Sequence, residues 1–438
     1  MLNAQQIEAW IKNNDKIPVE KLYLHTDRDL YFPGETIWMK SYITVSSSGR
    51  LKPGAENVYL QLSNENGNPL FKANLMSVDG QAPGYMFLPD TLVPGNYILS
   101  AYTDYMLNFG NESFFNKTIS IIKPSPPLPA TVRNNQTADD VGMIADISFL
   151  PEGGKLLEGI ANLVAFKAID ENGYGINASG SIVDETGIQV VSFKSDYKGM
   201  GLFFLTPETG KTYNAVINEF PSSKISLDSL VVTEGVKLQL LNQTSRDIFV
   251  NITGNSDRYL NSTYYLVNRY RGNTLFYQPV KIEENNQLVR FDSHMLRAGI
   301  NQMVLLDNNL RPVSEQLIFS DNLNVNELKI IPDKTKYAKR AEVNIAILDD
   351  EEQNELSNIS VSIVHEAVSP DKGNGHDILS WLLISSELNG YIENPADFFT
   401  DSIISARAKQ RLLMLTNGWS SYFWNSVPRS EEHTSELQ

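Results

Sequence analysis

Short runs in which apolar and polar residues alternate recur along most of the chain: Val58-Tyr-Leu-Gln-Leu62, Leu163-Val-Ala-Phe166, Ser181-Ile-Val183, Asp247-Ile-Phe-Val250 and Glu342-Val-Asn-Ile-Ala-Ile347. Alternation of this kind is the pattern of a strand with one buried face. The runs are punctuated by one kind of turn, Asn64-Glu-Asn-Gly67, Asp170-Glu-Asn-Gly173 and Asp184-Glu-Thr-Gly187. Asn, Asp and Gly tolerate the positive φ of tight hairpins, so the pattern predicts antiparallel sheets.

A longer unit also repeats. Gly84-Tyr-Met-Phe-Leu-Pro89 followed by Pro94-Gly-Asn-Tyr97 is echoed by Gly201-Leu-Phe-Phe-Leu-Thr-Pro207 and Gly210-Lys-Thr-Tyr213, with a fainter copy at Leu296-Arg-Ala-Gly-Ile300. The spacing, roughly 90 to 115 residues, is that of an immunoglobulin-like sandwich. Three stretches break the β pattern. Ile7, Trp10 and Ile11 sit among polar residues with helical spacing near the N-terminus, and Ile378–Leu388 and Ser405–Leu415 have helical spacing near the other end.

The fold class expected is therefore mostly β: tandem immunoglobulin-like antiparallel sandwiches with a small helical region near the C-terminus. The divisions expected are a helix over 1–17, a sandwich over 18–125, a Pro-rich and polar linker over 126–140, and sandwiches over 141–235 and 236–325. A fourth sandwich with a helical insertion is expected over 326–428. Pro124-Ser-Pro-Pro-Leu-Pro129 marks the clearest boundary, since proline favours extended spacers. Residues 429–438, RSEEHTSELQ, are patternless and read as an in-frame translation of a sequencing adapter. They are set apart together with His433, and the intact protein is expected to continue past Pro428.

Composition changes this picture in three places. The 438 residues are 42% hydrophobic with 19 Tyr and 19 Phe, a balance of folded β protein and not of a disordered tail. A net charge of −16 opposes binding to phosphate backbones and anionic lipid, and no Lys/Arg cluster is expected to offer a local exception. Nucleic acid is thus not an expected partner. The absence of Cys excludes disulfides, thiolate metal sites, a cysteine nucleophile and an internal thioester. No run approaches the roughly 20 apolar residues that span a bilayer, and the N-terminus lacks the apolar core of a signal peptide, so an export signal would lie outside this sequence.

Candidate chemistry is sparse. His25, His294, His365 and His376 fall in no ligand spacing, and a metal site at His365, Glu366 and His376 is weighed against ordinary loop positions and set aside. His25-Thr26-Asp27 could orient a nucleophile, but its context points to a strand end. The acidic run Asp349–Glu355 lacks the spaced ligands of a calcium loop and reads as a solvated turn. Neither a GxSxG elbow nor a phosphate loop occurs. Tyr102, Tyr105, Phe109, Phe114 and Phe115 could stack on sugars, with core and inter-domain packing the plainer expectation. The Asn-x-Ser/Thr sequons, Asn111, Asn177, Asn251 and Asn358 among them, reflect an Asn-rich composition. No catalytic, cofactor-binding or metal-binding residue is assigned, and no cofactor is expected.

Lys21-Leu-Tyr-Leu-His-Thr-Asp-Arg-Asp-Leu-Tyr-Phe-Pro-Gly-Glu-Thr-Ile-Trp-Met-Lys40 resembles the signature of the second macroglobulin domain of the alpha-2-macroglobulin family. Ala101-Tyr-Thr-Asp104, Phe149-Leu-Pro-Glu-Gly-Gly154, Gly390-Tyr-Ile-Glu-Asn-Pro395 and Leu415-Thr-Asn-Gly-Trp419 extend the resemblance. It points to a Gram-negative subgroup in which such domains precede a TonB-dependent receptor plug or a carboxypeptidase-like regulatory domain. The resemblance implies a non-enzymatic arm in the cell envelope, periplasmic or outer-membrane associated. Its implied partner is an envelope or outer-membrane protein, or a protease. Family members trap proteases with a bait region, which would follow a strand like Ile359–Val364; here Ser369–His376 is a short loop without an evident cleavage target. Two other readings stay open: a thioester-less endopeptidase inhibitor, and a carbohydrate-binding or adhesin module.

Overall fold

The computed structural model describes residues 4–15, 19–123, 144–323, 328–349, 358–364, 377–400 and 403–417. The expected linker at 126–140 and the segment 429–438 lie outside these residues, as do His365, His376 and the loop Ser369–His376.

The chain opens with helix α1 (Ala4–Asn14). The first sandwich then comprises β1 (Glu20–Thr26), β2 (Leu30–Tyr31), β3 (Thr36–Val45), β4 (Ala55–Asn64), β5 (Pro69–Val78), β6 (Gln81–Phe87), β7 (Gly95–Thr103) and β8 (Phe115–Ile121). The ladder runs β1-β3-β6-β5-β4-β7-β8-β2. Strands β5 and β6 pair only at Val78 and Gln81, so the ribbon folds at that corner into a β1-β3-β6 layer and a β5-β4-β7-β8 layer. Leu22, Leu24, Ile37, Ile43, Leu60, Leu62, Leu99 and Phe115 fill the space between them.

The second sandwich has β9 (Asp146–Pro151), β10 (Leu156–Leu157), β11 (Asn162–Ile169), β12 (Ser179–Asp184), β13 (Gln189–Lys194), β14 (Met200–Leu205), β15 (Tyr213–Ile217), β16 (Phe220–Ser226) and β17 (Val231–Val232). The third has β18 (Val236–Gln243), β19 (Asp247–Gly254), β20 (Thr263–Tyr270), β21 (Asn273–Lys281), β22 (Asn286–Asp292), β23 (Gly299–Leu306) and β24 (Pro312–Ser320). The layers are β9-β11-β14 with β13-β12-β15-β16, and β18-β19-β22 with β21-β20-β23-β24. Counted along each unit without the two-residue strands β2, β10 and β17, strands one, two and five form one sheet, and four, three, six and seven the other. All three units therefore share one antiparallel topology, and the sequence echoes at Gly84, Gly201 and Leu296 fall at its fifth strand or the turn into its sixth.

The Asx turns work as their spacing predicts. Asp170 Oδ1 accepts from the amides of Asn172 (2.9 Å) and Tyr174 (2.8 Å), and Asp184 Oδ1 from those of Thr186 and Ile188 (3.0 Å each). Asn64 does the same for Asn66 and Asn68, and Asp307 for Asn309 and Arg311.

Beyond the third sandwich, β25 (Leu328–Pro332) pairs antiparallel with β26 (Ile345–Asp349). The segment 358–364 then crosses the first sandwich, with Ser360 Oγ 2.6 Å from His25 Nδ1 and accepting from Tyr42 Oη at 2.8 Å. Of the expected fourth unit, the described residues thus provide one hairpin, this segment and a helical tail. The tail comprises α2 (Ile378–Ser380), which widens into a π-turn over Trp381–Ser385, α3 (Asp397–Thr400) and α4 (Ile403–Thr416). Apolar residues of α4 point several ways round the helix, as in a helix buried on more than one side. Leu383, Ile384, Leu388, Phe398, Leu412, Leu413 and Met414 pack with Met200 of the second sandwich and Ile300, Leu317 and Phe319 of the third. The helices are a wedge shared by the sandwiches.

Candidate functional site

The signature segment at 21–40 proves to be a polar knot that takes the chain from β1 to β2, beside β8 of the other layer, and back to β3. Asp27 Oδ1 accepts from Tyr31 Oη (2.6 Å) and from the Trp38 amide (2.9 Å), while the Asp27 amide donates to Trp38 O. Glu35 Oε2 accepts from the Phe32 amide at 2.8 Å and pairs with Arg28 at 3.2 Å. Tyr31 is fully buried, and burial together with the Asp27 carboxylate raises its hydroxyl pKa far above the usual range. Asp27 is thus committed to Tyr31, the backbone and, at 3.4 Å, Arg28, while His25 meets Ser360 on the outer face of the sheet. His294 is exposed beside its helix cap, Asp292. Among the described residues no group of three or more His, Asp or Glu could hold a metal ion.

The densest buried charge lies where the first sandwich, the third sandwich and the helical wedge meet. Lys21 alternates with Leu22 and Leu24, so it faces out of the β1 sheet; there it pairs with Glu387 and donates to Ser386 Oγ (2.8 Å) and Leu382 O (3.5 Å). Arg271, in the β20–β21 turn, places Nε 2.6 Å from the same Glu387 oxygen. Its Nη1 donates to Ser46 O (2.7 Å) and its Nη2 to Leu382 O (2.9 Å). The side chains of Lys21, Glu387 and Arg271 are 3%, 3% and 4% exposed. Two cations share one carboxylate, and carbonyls near the end of the α2 turn supply the remaining negative potential. Burial first, and the Arg271 charge second, hold the Lys21 amine well below its ordinary pKa. Beside this group Trp381 Nε1 donates to Leu22 O at 2.8 Å, and its ring meets Phe115 edge-on at 4.9 Å. The indole satisfies one backbone carbonyl on the outer edge of β1, an edge of the kind that otherwise offers unpaired groups.

A second junction joins the second and third sandwiches. Glu152 of the Phe149–Gly154 motif accepts from the Leu240 amide (3.2 Å) and lies 3.6 Å from Arg411 of α4, whose Nη2 donates to Leu240 O (2.9 Å). Burial pushes the Glu152 carboxyl pKa up, with Arg411 opposing it. Lys237 donates to Asn162 Oδ1 at 2.7 Å; burial brings its pKa down to about 8. Gly153, at φ +80°, approaches so closely that a Cβ would stand 2.9 Å from Ser314 Oγ and 3.0 Å from Leu238 O. Helix α1 makes a third junction: Ile7 is buried on Tyr265, Val267, Val304 and Leu306, and Arg269 Nη2 donates to Asn14 O at 2.5 Å.

The aromatic candidates divide. Phe115 is core. Tyr102 is stacked between Tyr59 (5.5 Å, 22°) and Phe114 (4.2 Å, 13°), so these rings turn their faces to one another and not to a sugar. The open aromatic surface is elsewhere, on the outer face of the β1-β3-β6 layer, where register sets Trp38 opposite Tyr85 and Thr36 opposite Phe87. Trp38, Tyr85 and Phe87 are 58%, 60% and 61% exposed, with Trp38 and Tyr85 5.3 Å apart. Strand alternation could have found this face, because Ile37 and Met39 are buried and Trp38 between them must point out.

The expectation that no Lys/Arg cluster interrupts the acidic balance is corrected. Lys334, Lys336, Lys339 and Arg340 crowd the loop between β25 and β26, all exposed. The chain-wide charge conceals a local excess of the opposite sign.

No protein-family model matches the chain, and no curated protein matches it. Solved structures do. An Escherichia coli alpha-2-macroglobulin activated by porcine elastase aligns at 10% identity and TM-score 0.28 over 78% of this chain and 34% of that one. Latent dimeric PorU from Porphyromonas gingivalis aligns at 13% identity and TM-score 0.29 over 70% and 34%. A tetra-tandem repeat from the extending region of a large adhesion protein aligns at 14% identity and TM-score 0.22 over 79% and 92%. The chain spans about a third of the length of the first two.

Proposed function

We propose that this chain is a non-catalytic arm of a cell-envelope protein, built from macroglobulin-type sandwiches, that holds a protein-binding face at a fixed position. The observation that carries this reading is the wedge. Sandwiches connected only by linkers move as separate bodies, whereas here the Glu387 ion group and Trp381 fasten the first sandwich to the α2 turn, and Arg411 with an apolar cluster fastens the second and third to the helical tail. Buried charges of this kind are expensive to create and favour a single arrangement. The 21–40 signature supports the macroglobulin assignment, and a TonB-linked outer-membrane module is the continuation that its subgroup suggests.

The face that the arm presents is the Trp38, Tyr85 and Phe87 surface, a contiguous exposed aromatic patch of the sort that marks protein contacts. A photo-crosslinking amino acid placed at position 38 should yield a discrete adduct in a cell-envelope preparation, lost when Tyr85 and Phe87 are both changed to Ser. No adduct, or the same adduct from a crosslinker at Glu65 in the β4–β5 turn, would sink the assignment. Incubation with elastase distinguishes the trapping reading: a nicked chain that slows cleavage of large but not small substrates would replace the arm model with an inhibitor.

A further inference from the structure

We infer that the β25–β26 hairpin is a docking element for an anionic phospholipid surface, independent of the aromatic face on the first sandwich. The two strands pair only with each other among the described residues. Leu328, Ile330, Ile331, Val343, Ile345 and Leu348 are all 41% to 67% exposed, an aliphatic surface on both sides of a two-stranded ribbon. The loop at its tip carries Lys334, Lys336, Lys339 and Arg340 against two carboxylates, Asp333 and Glu342.

The loop's order turns one of those carboxylates inward. Asp333 Oδ1 accepts from Tyr337 Oη (2.5 Å) and from the Asn344 amide (3.1 Å), and Tyr337 Oη in turn accepts from the Lys334 amide (3.0 Å). The four cations stay exposed, with no ion pair among the described residues. Asp349, first of the acidic run, stands at the far end of β26, roughly 13 Å from Ile345 at ordinary strand rise. That exceeds the ~8 Å Debye length at physiological salt, so the tip is screened from that end of the strand.

A basic tip continuous with exposed aliphatic side chains matches a bilayer interface, where phosphates meet the cations and the acyl boundary receives the aliphatics. An acidic polypeptide would use the charges and leave the aliphatic faces wet. A nucleic acid would do likewise, and would bring a long line of phosphates against a chain of net charge −16.

The test is co-sedimentation of the full chain with vesicles of phosphatidylcholine and phosphatidylglycerol at 3:1, compared with phosphatidylcholine alone. Binding is expected on the anionic vesicles only, weakening steeply with added salt. Changing Lys334, Lys336, Lys339 and Arg340 together to Gln should lower vesicle affinity by roughly fivefold per residue, several hundredfold in all. Changing the exposed Lys12, Lys72, Lys155 and Lys224 to Gln removes the same charge elsewhere and should leave binding within a few fold. Ile330→Ser with Ile345→Ser should weaken the salt-resistant part. The inference is overturned by absent binding, by equal binding to neutral vesicles, by equal losses in the two quadruple variants, or by loop-dependent capture of polyglutamate or duplex DNA more tightly than vesicles.

Discussion

Glu387→Gln keeps the shape of the buried ion group and removes its only anion. At an effective dielectric of ~20, the 2.6 Å contact with Arg271 alone carries about 6 kcal/mol of Coulomb attraction, much of which offsets desolvation. Breaking a buried pair from one side costs about 3 to 5 kcal/mol, because the partner stays buried without compensation. Here two cations are orphaned within one cluster, which places the expected cost at the upper part of that range. A chain of several sandwiches need not melt in one step, so native-state hydrogen exchange is the suitable assay. Protection in α2 and α4 should fall by about a thousandfold to a few thousandfold, while β19 and β20 keep theirs. Lys21→Met in the Glu387→Gln background should restore part of the loss. The sign with pH is also fixed: the folded-state Lys21 pKa is already depressed, and losing Glu387 depresses it further, so the penalty shrinks as alkaline solution deprotonates the amine. Exchange in α2 and α4 within about fivefold of the parent chain would refute the claim that this ion group fastens the wedge.

Three further outcomes follow from the other junctions. Asp27→Ala removes the carboxylate that receives the buried Tyr31 hydroxyl and the Trp38 amide, and should destabilise the first sandwich by about 2 kcal/mol, seen by calorimetry. Gly153→Ala sets a Cβ against Leu238 O at positive φ and should cost about 1 to 3 kcal/mol, with faster proteolysis between the second and third sandwiches. Lys237 titrates at about 8 when folded, against 10.5 for the ordinary amine. The unfolded chain binds more protons between those values, so stability should rise with pH across about 8 to 10.5, by ~3 kcal/mol in all, and Lys237→Met should flatten urea midpoints measured over that window.

Much of the β architecture could be read from local pattern. Alternation at Val58–Leu62 and the Asx turns at Asn64, Asp170 and Asp184 act over a few residues, and the structure realises each as strand and hairpin. The repeat at Gly84 and Gly201 likewise signalled a repeated unit, because one topology places like residues at like positions. The wedge was legible as helical spacing but not as a wedge. Lys21 and Glu387 are 366 residues apart, and no periodicity relates residues at that range. The Phe149–Gly154 motif was visible, yet its role as the contact point of two sandwiches depends on Ser314 and Lys237, which belong to another unit. The cations at Lys334–Arg340 lie within seven consecutive residues and were legible in the sequence; only the chain-wide charge averages such a cluster away.

The bond from Trp381 to Leu22 O also sets a clock for biosynthesis. The two residues are 359 positions apart, so at 5 to 20 residues per second the indole emerges about 20 to 70 s after the strand it covers. Throughout that interval the Leu22 carbonyl on the outer edge of β1 is without its indole donor. A first sandwich that folds as it is made does so before this edge contact exists.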